Sequence, residues 1–300
     1  MMKSSVLRPK KWQFIMYLLP GIIWYVFVVF IPVIGAAYYS MFEWMGGPNK
    51  KFIGFENYLT LFKDAEFWHS FCNNLFLCIV CLVGQIGIAF VLALLLNSKI
   101  VKFKKFHRIV TYFPVTLSAV VIGFIWSMIY DYNYGLLNTF LKVIGLGSLQ
   151  QAWLTNRSLA MFLICLPLIW QYIGYYLVII LAGFSSIDPS ILEVAEIDGA
   201  NGLQRARYIT VPLIKNTLIV CMTLCIAGNM KAFDHIYVMT GGGPGTTTNV
   251  MSLYAYQNSF LRYKMGYGSS ISIGILVLSI GITMLCRKIA AGKKKGEDEA

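Results

Sequence analysis

The sequence predicts an all-α polytopic membrane protein with six membrane-spanning helices. Of its 300 residues 58% are hydrophobic and only 13% are charged, and the charges leave long blocks empty. Ordinary soluble domains run at about a quarter charged. The third observation is where the charges fall, which assigns an orientation to the spans.

The first empty block runs from Phe14 to Met41 and follows a basic tail with Lys3, Arg8, Lys10 and Lys11. A secretory leader begins in the same way, but its apolar core is roughly 7–15 residues long. This run is 28 residues, so it is expected to remain as the first span. Ser70 to Ser98, Ile109 to Tyr130, Ser158 to Ile187 and Met265 to Cys286 also lack Asp, Glu, Lys and Arg. Each is long enough at about 1.5 Å per residue to cross about 30 Å of hydrocarbon. Leu213 to Phe233 is the remaining candidate, the fifth in order, with Lys215 and Lys231 near its ends. Lysines at span ends reach the interface with their long stems. His235 to Leu261 is uncharged too, but Gly241, Gly242, Gly243, Pro244 and Gly245 interrupt it, and it reads as a loop.

Counting loops on alternate sides sorts the 25 basic residues unequally. Seventeen lie in the N-terminal tail, the Lys99–Arg108 segment, the Arg205–Lys215 segment and the C-terminal tail. The positive-inside rule therefore predicts that both termini are cytoplasmic. The formal charge of +12 is thereby an orientation signal, with no aromatic-basic motif for nucleic acid beside it. The expected organisation is a tail (1–13), a six-span domain (14–286) with a cytoplasmic loop at about 185–212, and a second tail (287–300).

Seven cysteines include Cys78-Ile-Val-Cys81, which has redox spacing. It lies in the middle of an apolar span, where small buried thiols are expected for all seven, and not after a strand as a redox pair would be. His69, His107 and His235 fall in three different loops and form no metal-ligand cluster. The three outer loops, about 42–69, 131–157 and 234–264, are rich in aromatic and turn residues and are expected to be packed caps. Gly84-x-x-Gly87, Gly274 and Gly281 would allow close helix approach, or be only the glycine common in membrane helices.

The cytoplasmic loop Ser185 to Pro212 holds the most informative pattern. Asp188-Pro189 is a helix start, Gly199 permits a turn, and a second short helix leads to Pro212. Ile191, Leu192, Ala195 and Ile197 offer an apolar docking surface, and Glu193, Glu196 and Asp198 offer charge. Here the chain resembles the membrane-spanning subunits of bacterial ABC importers, in the carbohydrate-uptake branch of maltose and glycerol-3-phosphate permeases. That family's motif is E-A-A, three residues, G, nine residues, I-x-L-P. It stands here as Glu193-Val194-Ala195, Gly199 and Ile209-Thr210-Val211-Pro212, with valines for one alanine and for the leucine. Met239-Thr-Gly-Gly-Gly-Pro-Gly245 is similar to the T-x-G-G-P segment of one of the two permease subunits.

The resemblance implies a type I ABC importer fold and a coupling helix docked in a separate ATPase subunit. Glu193 would pair with a basic residue there, Gly199 would make the turn, and Ala195 would allow close packing. It also implies a homologous second permease subunit, two ATPase subunits binding ATP and Mg, an extracellular or periplasmic sugar-binding protein, and a bacterial cell membrane. No G-x-x-x-x-G-K-[ST] occurs, so neither hydrolysis nor a cofactor is expected in this chain. The alternative, an ion-coupled carrier, needs ionisable groups within the bundle, and only Lys231 and Asp234 qualify. Three apart, they would also be placed to pair with each other.

A sugar pathway needs amides and hydroxyls beside aromatic faces. Asn229 matches an asparagine lining the sugar site in maltose-type permeases, counted from Glu193 without a gap. Gln171, Tyr172 and Tyr175 on the fourth span, and Trp126 and Ser118 on the third, are further candidates. Interfacial aromatics and amides that merely tie helices together are the alternative for each. The Gly241, Gly242, Gly243 and Pro244 loop lies on the outside, where the binding protein would dock, or else caps the fifth and sixth spans.

Overall fold

A computed structural model describes residues 11–98 and 101–291. The outer parts of both expected tails and Lys99 lie outside the described residues. In chain order the elements are α1 (Trp12–Tyr39), β1 (Phe42–Trp44), β2 (Lys50–Phe52), α2 (Glu56–Lys63) and α3 (Ala65–Asn97). Then follow α4 (Lys104–Thr116), α5 (Ala119–Ile129), α6 (Leu136–Val143), α7 (Ala160–Ser185) and α8 (Pro189–Ile197). The last are α9 (Gly202–Leu213), α10 (Lys215–Met230), α11 (Asp234–Met239), α12 (Met251–Tyr256) and α13 (Met265–Ala290).

Four expected spans, α1, α3, α7 and α13, are single helices long and apolar enough to cross a membrane. The third and fifth are not single helices. The third is α4 and α5 bent by 97°, and the fifth is α9 and α10 bent by 76°, so six spans result if each bent pair is one. The third breaks because Pro114 sits in a 3-10 turn and Leu117 and Ser118 are extended (ψ 148° and 136°). Backbone groups freed inside a membrane need protein partners, and Gln171 Nε2 donates to the Leu117 carbonyl at 3.1 Å. The second span begins earlier than its uncharged run, because Asp64 caps α3 through the Glu66 and Phe67 amides at 2.9 and 3.3 Å.

Pro20 and Pro167 lie inside regular helix, whereas Pro32 and Pro212 follow widened turns. A proline ring crowds the carbonyl four residues back, which for Pro32 is Val28 and for Pro212 is Tyr208. Both carbonyls lie in π-helical turns, Val26–Phe30 and Ala206–Thr210. The chain therefore passes through each proline without ending the helix.

The described residues form two compact units, one of residues up to Lys63 with Ala255–Gly274, and one of Asp64–Tyr254 with the residues from Ile275 on. The first holds the one departure from an all-α expectation. Its antiparallel hairpin pairs Phe42 with Phe52 and Trp44 with Lys50 around Gly46 (φ +95°) and Pro48. Asn57 Nδ2 donates to the Ser40 and Phe42 carbonyls at 2.8 and 3.0 Å, and Tyr39 stacks on Trp44 at 4.2 Å. These contacts order the segment between α1 and α2, although Met45, Phe52 and Phe55 stay exposed.

The second unit has its core where α3, α7 and α10 meet, with Ala89, Ala93, Leu177, Ile180, Cys221 and Cys225 buried together. Gly84 permits this approach, since a Cβ there would overlap the Ile169 side chain, whereas Gly87 and Gly281 face open space. Five cysteines are buried, but Cys72 is exposed and Cys286 half-buried. Cys72 shares an outward stripe of α3 with Phe76, Ile79 and Val83, so the expectation of seven buried thiols is corrected there. The loop after α5 is organised by buried Asn138. Its Nδ2 donates to the Tyr132 and Gln151 carbonyls at 3.1 and 3.0 Å, and its Oδ1 accepts from Trp153 Nε1 at 2.8 Å.

Candidate functional site

Two regions of the second unit carry the residues singled out by the sequence. The first is the loop from Asp188 to Pro212. Asp188 Oδ1 accepts from the Ser190 amide at 2.9 Å and the Ser190 hydroxyl at 2.8 Å. These bonds hold the exposed Asp188 carboxyl below its ordinary pKa, the amide having the larger effect. At the other end of α8, the Gly199 amide donates to the Glu196 carbonyl at 3.2 Å and the Ala200 amide to the Ala195 carbonyl at 3.0 Å. That pair of bonds is the Schellman ending of a helix, and it needs a left-handed residue at position 199. Gly199 has φ +78°, and no neighbour crowds it, so backbone conformation alone demands glycine.

The chain then turns into α9 through a capping box, with Asn201 Oδ1 accepting from the Gln204 amide at 2.9 Å and Gln204 Oε1 from the Asn201 amide at 2.8 Å. Arg205 donates to Glu196 Oε2 at 3.1 Å across the turn. Glu193 and Asp198 are exposed, Ile209 is half-buried and Pro212 is exposed. Ala195 corrects the sequence reading: it is 4% exposed, packed within its own chain and not offered to a partner. The outward apolar residues are Ile191, Val194 and Ile197.

The second region is a cavity of about 360 Å³, within the range of small-molecule sites. Asn229, Tyr172 and Tyr175 line it, together with Gln85, Tyr176, Lys231, Asp234 and His235. Asn229 Nδ2 is tied back to the Cys225 carbonyl at 2.8 Å and to Cys225 Sγ at 3.3 Å. Its Oδ1 is left for the cavity. Gln85 Nε2 donates to the Leu168 carbonyl at 3.0 Å, and Gln85 Oε1 accepts from Cys225 Sγ at 3.3 Å. Gln171, Trp126 and Ser118 are not in the lining. Gln171 is turned to the break at Leu117, Trp126 lies against Tyr130 and Trp170 with ring centres 5.5 and 6.3 Å apart, and Ser118 starts α5 without a side-chain cap.

Lys231 and Asp234 do not pair, and among the described residues neither forms an ion pair. On a continuous helix residues three apart are neighbours, but here α10 ends at Met230 and α11 begins at Asp234. His235 is 5% exposed, and burial pushes its pKa down to about 4 against a smaller opposing effect of Asp234. It is therefore neutral at pH 7.

Sequence reasoning missed Asn74, which ties the roof of this region together. Its Nδ2 donates to the Asn229 and Met230 carbonyls at 3.0 and 3.4 Å, and its Oδ1 accepts from the Met251 amide at 2.8 Å. Neighbouring Asn73 Nδ2 reaches the Thr247 and Asn249 carbonyls at 3.0 and 2.8 Å. The glycine loop is thus fastened to α3. Gly242 is buried, Gly243 and Pro244 are half-buried, and Gly241 is exposed. Thr248 Oγ1 closes the loop on the Gly243 carbonyl at 2.8 Å. The available signal was the adjacent pair of asparagines within an apolar helix.

Residues 85–290 match the family described as Binding-protein-dependent transport system inner membrane component. The chain belongs to that family. It is 33% identical over 286 residues to a probable ABC transporter permease protein of Bacillus subtilis (strain 168), covering 95% of this chain and 97% of that one. It is 34% identical over 267 residues to the trehalose/maltose transport system permease protein of Thermococcus litoralis, covering 88% of each. A crystal structure of a bacterial ABC transporter involved in the import of the acidic polysaccharide alginate aligns at TM-score 0.82 with 25% identity. That alignment covers 95% of this chain and 96% of the other. This permease is a multi-pass membrane protein with the type I importer fold, and the family sets aside the ion-coupled carrier.

Proposed function

We propose that this permease forms half of the translocation pathway of an ATP-driven carbohydrate importer. The carbohydrate class is supported by relatives named for trehalose/maltose and for sulfoquinovosyl glycerol, and by the alginate transporter. The observation that carries the reading is that one compact unit holds both an exposed, doubly capped helix and a polar, tyrosine-lined cavity. The helix serves as a handle, and the cavity takes a sugar.

In this reading both termini are cytoplasmic, residues 14–286 are the permease domain, and the flanking tails are cytoplasmic. Glu193 meets a basic residue of a separate ATPase subunit, with Ile191, Val194 and Ile197 packing into its groove. Gly199 sets the angle, Glu196, Asp198, Ile209 and Pro212 complete the loop, and Ala195 holds α8 to its own chain. A homologous second permease completes the pathway, and the exposed apolar length of α1 suits contact with that chain and with lipid. Two ATPase subunits bind ATP and Mg. Their closure moves both coupling helices inward and opens the cavity to the outside. A sugar-binding protein outside the membrane then delivers its cargo, and hydrolysis resets the pathway. In the pathway Asn229 Oδ1, Tyr172 and Tyr175 contact sugar, while Gln171, Trp126 and Ser118 shape the bend of the third span. The Gly241–Pro244 loop faces the binding protein with Gly241.

Affinity purification of the tagged chain from its host tests this. Wild type is expected to bring a P-loop ATPase and a second permease. Glu193→Lys combined with Gly199→Pro should insert in the membrane and lose the ATPase. Undiminished capture by that variant would contradict the assignment of the loop.

A further inference from the structure

Lys231 and Asp234 set an opposite pair of charges into one cavity without letting them neutralise each other. The reason is local. Lys231 follows the C-terminus of α10, where a cation is favoured, and Asp234 opens α11, where an anion is favoured. Each helix end supports the charge it carries, and the three-residue break between the helices removes the spacing at which the two would meet.

The remaining polar lining adds no net charge. Gln85 is used on both sides, Asn229 presents an acceptor, and Tyr172 and Tyr175 line the cavity while the Tyr176 hydroxyl is bonded to Cys225. His235, neutral at pH 7, contributes none. The wall thus offers a strong donor in Lys231, strong acceptors in Asp234 and Asn229 Oδ1, and zero net charge. A neutral saccharide matches it, because every hydroxyl both donates and accepts. A uronate does not: its carboxylate gains from Lys231 only what it loses to Asp234 close by, after giving up its water.

Resting on the carbohydrate reading above, we infer that this cavity selects uncharged oligosaccharides, with Asp234 as the residue that turns acidic sugars away. The inference separates this permease from the alginate transporter whose fold it shares.

Saturation-transfer NMR on the purified complex tests it with two probes, maltotriose and trigalacturonate. Wild type should bind maltotriose in preference. Asp234→Asn should raise the ratio of trigalacturonate to maltotriose binding by about tenfold, the effect of about 1.4 kcal/mol. Lys231→Gln should move the ratio the other way, since it leaves Asp234 unopposed. Capture of the ATPase subunits by each variant reports that it is folded. Equal binding of both probes by wild type, or an unmoved ratio in Asp234→Asn, overturns the inference while the carbohydrate reading stands. Binding of neither probe overturns that reading, and the inference with it.

Discussion

The loop from Asp188 to Pro212 and the cavity around Asn229 belong to the same compact unit, yet they are held by different means. The loop is stabilised by its own neighbours. Asp188 caps Ser190, Gly199 closes on Glu196, Asn201 and Gln204 cap each other, and Arg205 reaches Glu196. The cavity is held by side chains distant in sequence. Asn74 joins α3 to both ends of the Met230–Met251 segment, Gln85 joins α3 to α7, and Gln171 joins α7 to the break before α5. A surface in water needs only local order, since water satisfies the rest. Broken helices in a membrane need every freed backbone group met by protein. Damage to the loop should therefore stay local and change partner capture, whereas damage to the amides should lower the stability of the whole unit.

The largest expected effect is at Gly199. Proline requires φ near −65° where the chain has +78°, and it also removes the amide that donates to Glu196. Gly199→Pro should reduce ATPase co-purification more than about tenfold, through at least about 1.4 kcal/mol, with unchanged thermal unfolding in detergent. A parallel loss of stability would break the comparison from the loop side.

Asn74→Ala comes next. It strands the Met251 amide in a buried setting, at about 1–3 kcal/mol for a group left without a partner, and takes one of its donors from the Asn229 carbonyl, which keeps the Ala232 amide at 3.2 Å. Thermal unfolding should shift down by several degrees while ATPase capture by the remaining folded protein persists. Gln171→Leu removes a single bond at Leu117 and should cost less, about 1–3 kcal/mol, read in the same melt. A variant as stable as wild type would show that the bend in the third span is held by something other than this amide.

Acid sharpens the contrast in the cavity. His235 titrates near 4 when folded and at about 6.5 when unfolded. Between these values the unfolded chain binds more protons, so stability is complete above about pH 6.5 and declines as pH falls toward 4. His235→Asn should flatten that part of a stability-versus-pH profile. The smallest effect belongs to Arg205→Gln, which breaks an ion pair whose partners are 33% and 67% exposed. Exposed pairs contribute about 0–1 kcal/mol, so ATPase capture should change less than about threefold.

The same division explains what the sequence made legible. Asp188, Pro189, Gly199 and Pro212 act on adjacent backbone, so the capped helix and its turn followed from residue order, and the motif spacing added the family. Four spans were legible as unbroken apolar runs. The bends in the other two were not, because the Ile109–Tyr130 run is as apolar as the rest, and the amide of Gln171 that meets the extended Leu117 comes from another helix. For the same reason the sequence left Gln171 open between a sugar contact and a tie between helices, and its Nε2 makes such a tie. Ala195 was placed on a docking surface with Ile191, Leu192 and Ile197 as an apolar residue of the helix, and only the packing of α8 on its own chain turns it in. Asn229, Tyr172 and Tyr175 were identified, but Asn74 and Gln85 lie in another span, and nothing in one sequence brings them to Asn229.

The most direct test measures Gly199→Pro and Asn74→Ala side by side, scoring ATPase co-purification and thermal unfolding of each against wild type. The account predicts opposite losses: capture without stability for Gly199→Pro, and stability without capture for Asn74→Ala. Loss of both properties in both variants would contradict it, showing that the coupling loop and the cavity stand or fall as one structure.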